Sequence, residues 1–204
     1  MRLVADNLAG DRGGEPVFDG VSFALSNGEC LIVTGENGSG KSTLLRIVAG
    51  LLPASGGSVK LEGGGEEWPD VMSACHHLGD RNAMKPALTV TENLKFRQDF
   101  LGRPFLSAEE ALEEVALPSV ASLPFGYLST GQRRRVAIAG LLVAFRPVWL
   151  LDEPTAGLDL GSERRFAALM RAHLEDGGII VAATHVPLGI EGAKELVMGG
   201  GGSK

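Results

Sequence analysis

A glycine-rich loop at residues 35–42, GENGSGKS, limits the folds open to this chain more than any other segment. It fits the pattern G-x-x-x-x-G-K-[ST] at every defined position. A short apolar run, Cys30–Thr34, precedes it, and a segment of helical composition, Ser42–Leu51, follows it. An uninterrupted apolar run of this length is typical of a strand buried on both faces. The sequence therefore predicts a strand, loop and helix within a mainly parallel sheet.

The residue types of this loop suit a phosphate group. Glycines let the backbone turn tightly so that successive N–H groups point at one anion, and the following helix adds its positive end. Lys41 can reach the β- and γ-phosphates, and the Ser42 hydroxyl can bind Mg²⁺. A plain glycine-rich turn is the alternative, but every constrained position is filled. The residues predicted to bind ATP or GTP are Gly35, Glu36, Asn37, Gly38, Ser39, Gly40, Lys41, Ser42 and Thr43.

Two acids, Asp152 and Glu153, end the apolar run Val148–Leu151. Ligands of open α/β sheets bind at the carboxyl ends of strands, so both acids are predicted to lie at the binding site. Asp152 suits coordination of Mg²⁺, directly or through water. Glu153 suits polarising the attacking water as a general base. Acidic pairs are common in loops, so this pair alone does not indicate a catalytic site. The interpretation depends on the phosphate loop in the same chain.

The remaining pattern indicates an α/β core that is interrupted by a helical segment at about residues 77–140. We predict strands at Val17–Leu25, Ser58–Glu62, Val148–Leu151 and Ile179–Ala183, and helices at Thr91–Leu101, Ser107–Leu117 and Gly161–Glu175. Residues 1–198 are predicted to form a single domain. The glycine-rich residues 199–204 are predicted to be a flexible tail.

Composition and charge argue against several classes of protein. A net charge of −6 disfavours a nucleic-acid binder with a broad basic surface, and we interpret the basic run Arg133–Arg135 as a solvated helix face. The apolar stretch Val136–Leu151 is broken by Arg146 and is too short to span a bilayer, so any membrane association requires a partner. The absence of a signal sequence and of a disulfide framework, with only Cys30 and Cys75, predicts a cytosolic location.

Residues 128–132, LSTGQ, resemble the LSGGQ signature of the ABC ATPase family, with threonine in place of the first glycine. As in the family, a basic helix start follows. Residues 152–159, DEPTAGLD, resemble the family's Walker B end and D-loop. Thr184-His185 follows the last predicted strand, where the family has its switch histidine. An ordinary helix cap and a buried core histidine are the structural alternatives. The resemblance covers residues 2–198.

The resemblance implies the ATP-hydrolysing subunit of an ABC transporter, with an α/β P-loop NTPase core, an N-terminal antiparallel β region and an inserted helical subdomain. It implies a homodimer in which Ser129, Thr130, Gly131 and Gln132 contact ATP on the partner chain. A helix start of this kind is physically a second anion site. The resemblance also implies a D-loop role for Asp159, catalytic roles for Glu153, His185 and Lys41, and Mg²⁺ on Ser42 and Asp152.

Two features of the family are missing. Where an aromatic residue stacks on adenine, this chain has Asp11-Arg12-Gly13, and Arg12 is predicted to lie over the base. Modest ATP affinity is expected, because a lost stack costs about 1–3 kcal/mol. The Q-loop glutamine is also absent, and Arg81 is nearest its position. Either Asn82 or a water replaces its metal contact, or coupling works differently.

Residues 78–94 resemble a narrower group, the ATPases of bacterial cytochrome c maturation, which are linked to haem export. This implies integral-membrane partner subunits and a peripheral location at the cytoplasmic face of the inner membrane. An exporter of another cargo is the main alternative, and a soluble ABC ATPase acting on DNA or ribosomes is disfavoured by the acidic charge. Cys75, His76 and His77 are not predicted to bind metal or haem, because neighbouring strand residues point to opposite faces.

Overall fold

The computed structural model describes residues 1–199, so the predicted tail lies outside the described residues except for Gly199. The chain divides into two compact units. The first contains residues 1–79, 147–154 and the described chain from 170 onward, and the second contains residues 80–146 and 155–169. Within residues 1–199, no helix is both long and apolar enough to cross a lipid bilayer.

The strands are β1 (Arg2–Arg12), β2 (Glu15–Ser26), β3 (Cys30–Gly35), β4 (Gly56–Glu62), β5 (Cys75–Leu78), β6 (Val148–Asp152), β7 (Ile179–Ala183) and β8 (Lys194–Met198). The α-helices are α1 (Lys41–Val48), α2 (Val71–Ala74), α3 (Val90–Leu101), α4 (Ala108–Glu114), α5 (Thr130–Leu142) and α6 (Leu160–Glu175). Short 3₁₀ turns occupy Pro118–Val120 and Phe125–Tyr127.

The first unit contains two sheets. An antiparallel sheet has the strand order β2-β1-β4, and a parallel sheet has the order β5-β6-β7-β3-β8. Every residue of β6 and β7 is buried, as expected for strands covered on both faces. The loop strand β3 lies between β7 and β8. The predicted α/β class, with its parallel core and N-terminal antiparallel region, is confirmed.

The second unit is built from short helices whose N-termini are capped. Thr89 and Glu92 form a capping box at α3, and Ser107 and Glu110 form another at α4. Each box satisfies backbone N–H groups that the first helical turn leaves without partners. These caps stabilise helices of 12 and 7 residues, which are marginal by themselves.

Two sequence-based expectations differ from the structure. The helix predicted over Ser107–Leu117 ends at Glu114, because Ala116 adopts a left-handed backbone conformation with φ 55°, which terminates an α-helix. The arginines at 133–135 are not a solvated face. Arg134 is 5% exposed, the Arg133 guanidinium donates to the Gly126 carbonyl at 2.6 Å, and Arg135 donates to a carbonyl at 3.3 Å. Guanidinium donors can satisfy backbone carbonyls inside a fold, which charge alone does not predict.

His173, near the end of α6, has a perturbed environment in the first unit. Its ring stacks on Trp149 of β6 with a centroid distance of 4.0 Å. Its Nε2 is buried and has no hydrogen-bond partner within residues 1–199. Burial lowers the pKa of His173 from 6.5 to about 4, although the Pro147 backbone and the Asp176 carboxylate act in the opposite direction. The folded protein therefore keeps this ring neutral.

We expect acid to destabilise the fold through His173. Its folded pKa lies below its unfolded pKa, so unfolding takes up a proton, and the free energy of unfolding falls as the pH drops from 6.5 to about 4. The loss is at most about 3 kcal/mol. His173→Phe keeps a ring on Trp149 but cannot be protonated. Urea unfolding at about pH 7.5 and about pH 5 should show a smaller decrease for the variant. Equal decreases would contradict this role.

Candidate active site

The phosphate loop joins β3 to α1, and two of its glycines are required by geometry. Gly35 has φ 140°, and a Cβ there would overlap the Met198 carbonyl oxygen. Gly40 has φ 96°, and a Cβ there would lie 2.6 Å from Cγ1 of Val17. Neither position accepts a side chain without strain. The loop is therefore held in a tight curl that leads directly into the N-terminus of α1.

Lys41 is the first residue of α1, and its side chain turns back onto the loop. Its Nζ donates to the Gly35 carbonyl at 2.7 Å and to the Glu36 carbonyl at 2.9 Å. The residue is only 8% exposed. Carbonyl dipoles satisfy the ammonium hydrogens but carry no net charge, so a buried cation still favours a nearby anion.

Many of the predicted site residues line one cavity of about 260 Å³ in the first unit. Its lining consists of Arg12, Val17, Asn37, Gly38, Gly40, Lys41, Ser42, Thr43, Asp152 and Glu153. Val17 was not identified from the sequence, where it is one apolar residue of a strand. Gly35 and Glu36 are not part of the lining and instead supply the carbonyls that hold Lys41. The Ser39 hydroxyl is buried and has no hydrogen-bond partner in the described part of the chain.

The oxygen donors of this cavity fit a hard cation. The Ser42 hydroxyl and the buried Asp152 carboxylate belong to its lining, and Mg²⁺ prefers oxygen ligands, usually one or two carboxylates together with substrate phosphates. No cluster of three or more His, Cys, Asp or Glu side chains within residues 1–199 could hold a metal ion.

Glu153 follows β6 in a left-handed backbone conformation with φ 43°. This conformation costs a non-glycine residue about 1 kcal/mol. The Glu153 N–H donates to the Ala183 carbonyl at 2.8 Å, which ties the strained residue to β7. The carboxylate is 39% exposed. Backbone strain thus sets the direction of a carboxylate that water can reach.

His185 connects the loop after β7 with the phosphate loop and with the end of β6. Its Nε2 lies 3.1 Å from Oδ1 of Asn37 and 3.5 Å from Oε1 of Glu153. The Thr184 hydroxyl donates to Oε2 of Glu153 at 3.4 Å. Both neighbours of Nε2 are acceptors, so this geometry calls for a proton on Nε2. Local sequence patterns do not indicate the Asn37 contact, since the two residues are 148 positions apart.

The signature residues belong to the second unit, at the start of α5. Ser129 caps this helix, accepting from the Gln132 N–H at 3.3 Å, while the Gln132 side chain accepts from the Ser129 N–H at 2.9 Å. A Cβ at Gly131 would lie 3.0 Å from the Gly157 carbonyl oxygen, which explains a glycine there. A Cβ at Gly157 would lie 3.5 Å from the methyl carbon of Thr130, so this methyl group lies near Gly157.

Two further predicted residues lie in the second unit. Asp159 accepts from the Ser162 N–H at 2.8 Å at the start of α6, and this hydrogen bond is the main reason that its pKa is lowered. Asn82, one of the replacements considered for the missing glutamine, has a buried Oδ1 without a hydrogen-bond partner among the described residues.

This fold and this order of motifs define an ATP-binding cassette: a phosphate loop, a signature helix, an acidic strand end and a histidine after the next strand. The ABC transporter family profile matches residues 18–156. The chain belongs to the ABC transporter family and is an ABC-type ATPase subunit, as the sequence predicted.

Within the family, the chain is similar to proteins named cytochrome c biogenesis ATP-binding export protein CcmA. The protein of this name from Chelativorans sp. (strain BNC1) is 68% identical over 201 residues, which are 98% of this chain and 100% of the relative. The one from Mesorhizobium japonicum is 66% identical over 199 residues, 98% of each chain. These relatives confirm the narrower resemblance of residues 78–94.

A solved structure of the same family supports the fold assignment. The ATP-binding cassette MJ0796, a dimer in a post-hydrolysis state bound to ADP and Pi, matches with a TM-score of 0.77 and 27% identity. The match covers 90% of this chain and 88% of that one.

Proposed function

We propose that this chain is the ATPase subunit of a membrane transporter that handles haem during cytochrome c biogenesis. Residues 1–198 act as one ABC ATPase domain, in which the helical segment at about 77–140 is inserted. The observation that supports this proposal is 68% identity, over the full length of the relative, to a cytochrome c biogenesis ATP-binding export protein. The cavity described above supplies the chemistry that such a subunit requires.

ATP binds with its phosphates on residues 35–42. The loop N–H groups and the positive end of α1 attract the triphosphate, and the buried Lys41 ammonium adds a full charge. Ser42 and Asp152 would hold Mg²⁺, which when bound neutralises charge on the phosphates. Asn37 and Thr43, which also line the cavity, complete the polar lining beside the phosphates.

Hydrolysis uses Glu153 and His185. Glu153 accepts a proton from a water molecule whose oxygen bonds to the γ-phosphorus, and the bond between that phosphorus and the bridging oxygen breaks. The Nε2–H of His185 donates to a γ-phosphate oxygen and stabilises the charge that develops there. His185 leaves Asn37 to do so, and a γ-phosphate oxygen takes the place of the Asn37 Oδ1 acceptor, which lies 3.1 Å from Nε2.

Two copies act together. Ser129, Thr130, Gly131 and Gln132 of one copy contact the γ-phosphate of ATP on the other, through the N-terminal N–H groups of α5. Asp159 lies in the D-loop of the same dimer. The dimeric state of the cassette MJ0796 supports this arrangement.

An exposed aromatic strip on α3 supports docking to integral-membrane subunits. Phe96 and Phe100 are 54% and 78% exposed and stack on each other, with ring centroids 6.0 Å apart. Lys85 lies 4.9 Å above the Phe96 ring. Large exposed apolar side chains that neighbour one another mark interaction surfaces. The chain is then peripheral at the cytoplasmic face of the inner membrane.

A pull-down from bacterial membranes tests this function. The tagged Glu153→Gln chain, incubated with Mg²⁺ and ATP, should recover integral-membrane proteins of cytochrome c biogenesis, identified by mass spectrometry. A variant with Phe96→Ser and Phe100→Ser should bind ATP but lose these partners. Recovery of a different permease would be consistent with the assignment as an ABC ATPase subunit but would contradict the proposed link to haem.

A further inference from the structure

The phosphate loop packs on side chains that come from two other strands of the first unit. A Cβ at Gly40 would lie 2.6 Å from Cγ1 of Val17, 3.0 Å from Cδ1 of Phe18 and 3.5 Å from Cε of Met198. Phe18 and Met198 are buried and belong to the same apolar core. At Gly40 the backbone of the loop therefore packs directly on apolar side chains of β2 and β8.

Met198 meets the loop at both of the glycines that its geometry requires. It pairs with Gly35 in the parallel sheet, where a Cβ on the glycine would overlap the Met198 carbonyl oxygen. The methyl end of its thioether side chain lies beside Gly40. The start and the end of the curl therefore both depend on the position of this one residue.

The strand that carries Met198 has few buried contacts. β8 has five residues, lies at the edge of the parallel sheet and pairs with β3, and Met198 is its one buried residue. Its other contacts include Lys194 Nζ, 2.8 Å from Oε2 of Glu29, and the Thr34 hydroxyl, which donates to Oε1 of Glu195 at 3.1 Å. Exposed ion pairs of this kind contribute little stability. A short edge strand with few buried contacts is among the parts of a fold that open most easily.

We propose that Met198 is a positioning residue for the triphosphate and that β8 is a nucleotide-sensitive strand. When β8 is paired, it holds residues 35–40 in the curl that receives the phosphates. A triphosphate bound to this curl in turn holds β8 against β3, because coupling between two equilibria is reciprocal. The inference rests on the proposed function, since it assumes that the triphosphate occupies residues 35–42.

Met198→Ala tests the positioning role, because it removes the side chain beside Gly40 and keeps the backbone of β8. With Mg²⁺ and ATP, the full-length variant should show a dissociation constant and a KM raised about tenfold. Its kcat should change less than about twofold, because the loss affects ATP and the transition state alike. Met198→Leu has a similar volume and should restore the wild-type affinity. Titration calorimetry and steady-state phosphate release measure these changes.

Two matched controls separate positioning from a general loss of stability. Met170→Ala removes a methionine of α6 that is also buried but lies outside the apolar core containing Met198. It should lower the unfolding temperature and leave the ATP affinity unchanged. Val197→Ala changes the neighbouring residue of β8, which is 69% exposed, and should alter neither quantity.

Hydrogen exchange measures the coupling in the other direction. In the full-length Glu153→Gln chain, Mg²⁺ and ATP should slow exchange of the β8 amides about tenfold. The strand β4 lies at the edge of the antiparallel sheet and is the matched control, whose amides should exchange equally with and without nucleotide. This measurement leaves β8 unchanged, so it tests the inference independently of whether Met198→Ala folds.

The outcomes separate this inference from the proposed function. Wild-type ATP affinity in a folded Met198→Ala chain, or β8 amides that exchange equally with and without ATP, would overturn the inference alone. An equal loss of ATP affinity in Met170→Ala would make the effect one of stability and would overturn it as well. Absence of ATP binding to the unmodified chain would overturn the inference and the proposed function together.

Discussion

Glu153→Gln should abolish ATP turnover and leave ATP binding intact. Glutamine has nearly the same shape as glutamate, so the residue can keep its φ of 43° and its backbone hydrogen bond to Ala183. The amide cannot accept a proton from the attacking water, and loss of a general base lowers kcat by about 10² to 10⁴. Phosphate release should fall to the level of the buffer, while the dissociation constant for ATP changes less than about threefold.

Glu66→Gln is the matched control for this substitution. Glu66 is an exposed glutamate of the same unit that belongs neither to the cavity lining nor to the residues around His185. Its variant should hydrolyse ATP at the wild-type rate. If Glu153→Gln retained normal turnover, another group would have to be the base, and the assignment of Glu153 would be wrong.

The central part of the fold could be predicted because its patterns are local. The apolar runs that became β3, β6 and β7 are continuous, and each has the length of one buried strand. The phosphate loop joins one such run to a helix, which fixes strand, loop and helix together. For the same reason, Asp152 and Glu153 could be assigned to the end of a strand before the structure was known.

The edge of the parallel sheet could not be predicted in this way. The strand β8 has the sequence KELVM, which mixes charged and apolar residues and has no period that distinguishes it from a loop. Its pairing with β3 joins residues more than 160 positions apart, and the Met198 carbonyl is what requires a glycine at position 35. The phosphate-loop motif predicts a glycine at position 35. That a side chain there would overlap the Met198 carbonyl depends on tertiary structure, which the motif does not describe.

The contacts of the functional side chains also could not be predicted from local sequence patterns. His185 was expected near the γ-phosphate because of its position after β7, a prediction that remains open. Its contact with Asn37 depends on two distant loops meeting. Arg133 and Arg134 were misjudged because charge suggests solvent, whereas the guanidinium of Arg133 reaches a backbone carbonyl.

Lys41→Ala should abolish ATP binding, in contrast to the Glu153 variant. The Lys41 ammonium lies within the curl of the loop, 2.7 Å from the Gly35 carbonyl and 2.9 Å from the Glu36 carbonyl, where the phosphates are proposed to bind. Hydrogen bonds to charged groups contribute about 1.5–3 kcal/mol each. Loss of contacts to two phosphates should therefore raise the dissociation constant by at least about 100-fold. Titration calorimetry with Mg²⁺ and ATP measures this change.

Lys60→Ala is the control for loss of a positive charge, because Lys60 is an exposed residue of β4 outside the cavity lining. This variant should bind ATP as the wild type does. Lys41→Arg should fail to restore binding, because a planar guanidinium does not fit the buried position of a compact ammonium. The thermal unfolding temperature, measured without nucleotide, shows whether the Lys41→Ala chain is still folded. The Gly35 and Glu36 carbonyls each lose only the Lys41 ammonium as a hydrogen-bond donor, so we expect a folded chain. Wild-type affinity in a folded Lys41→Ala chain would show that the phosphates bind elsewhere.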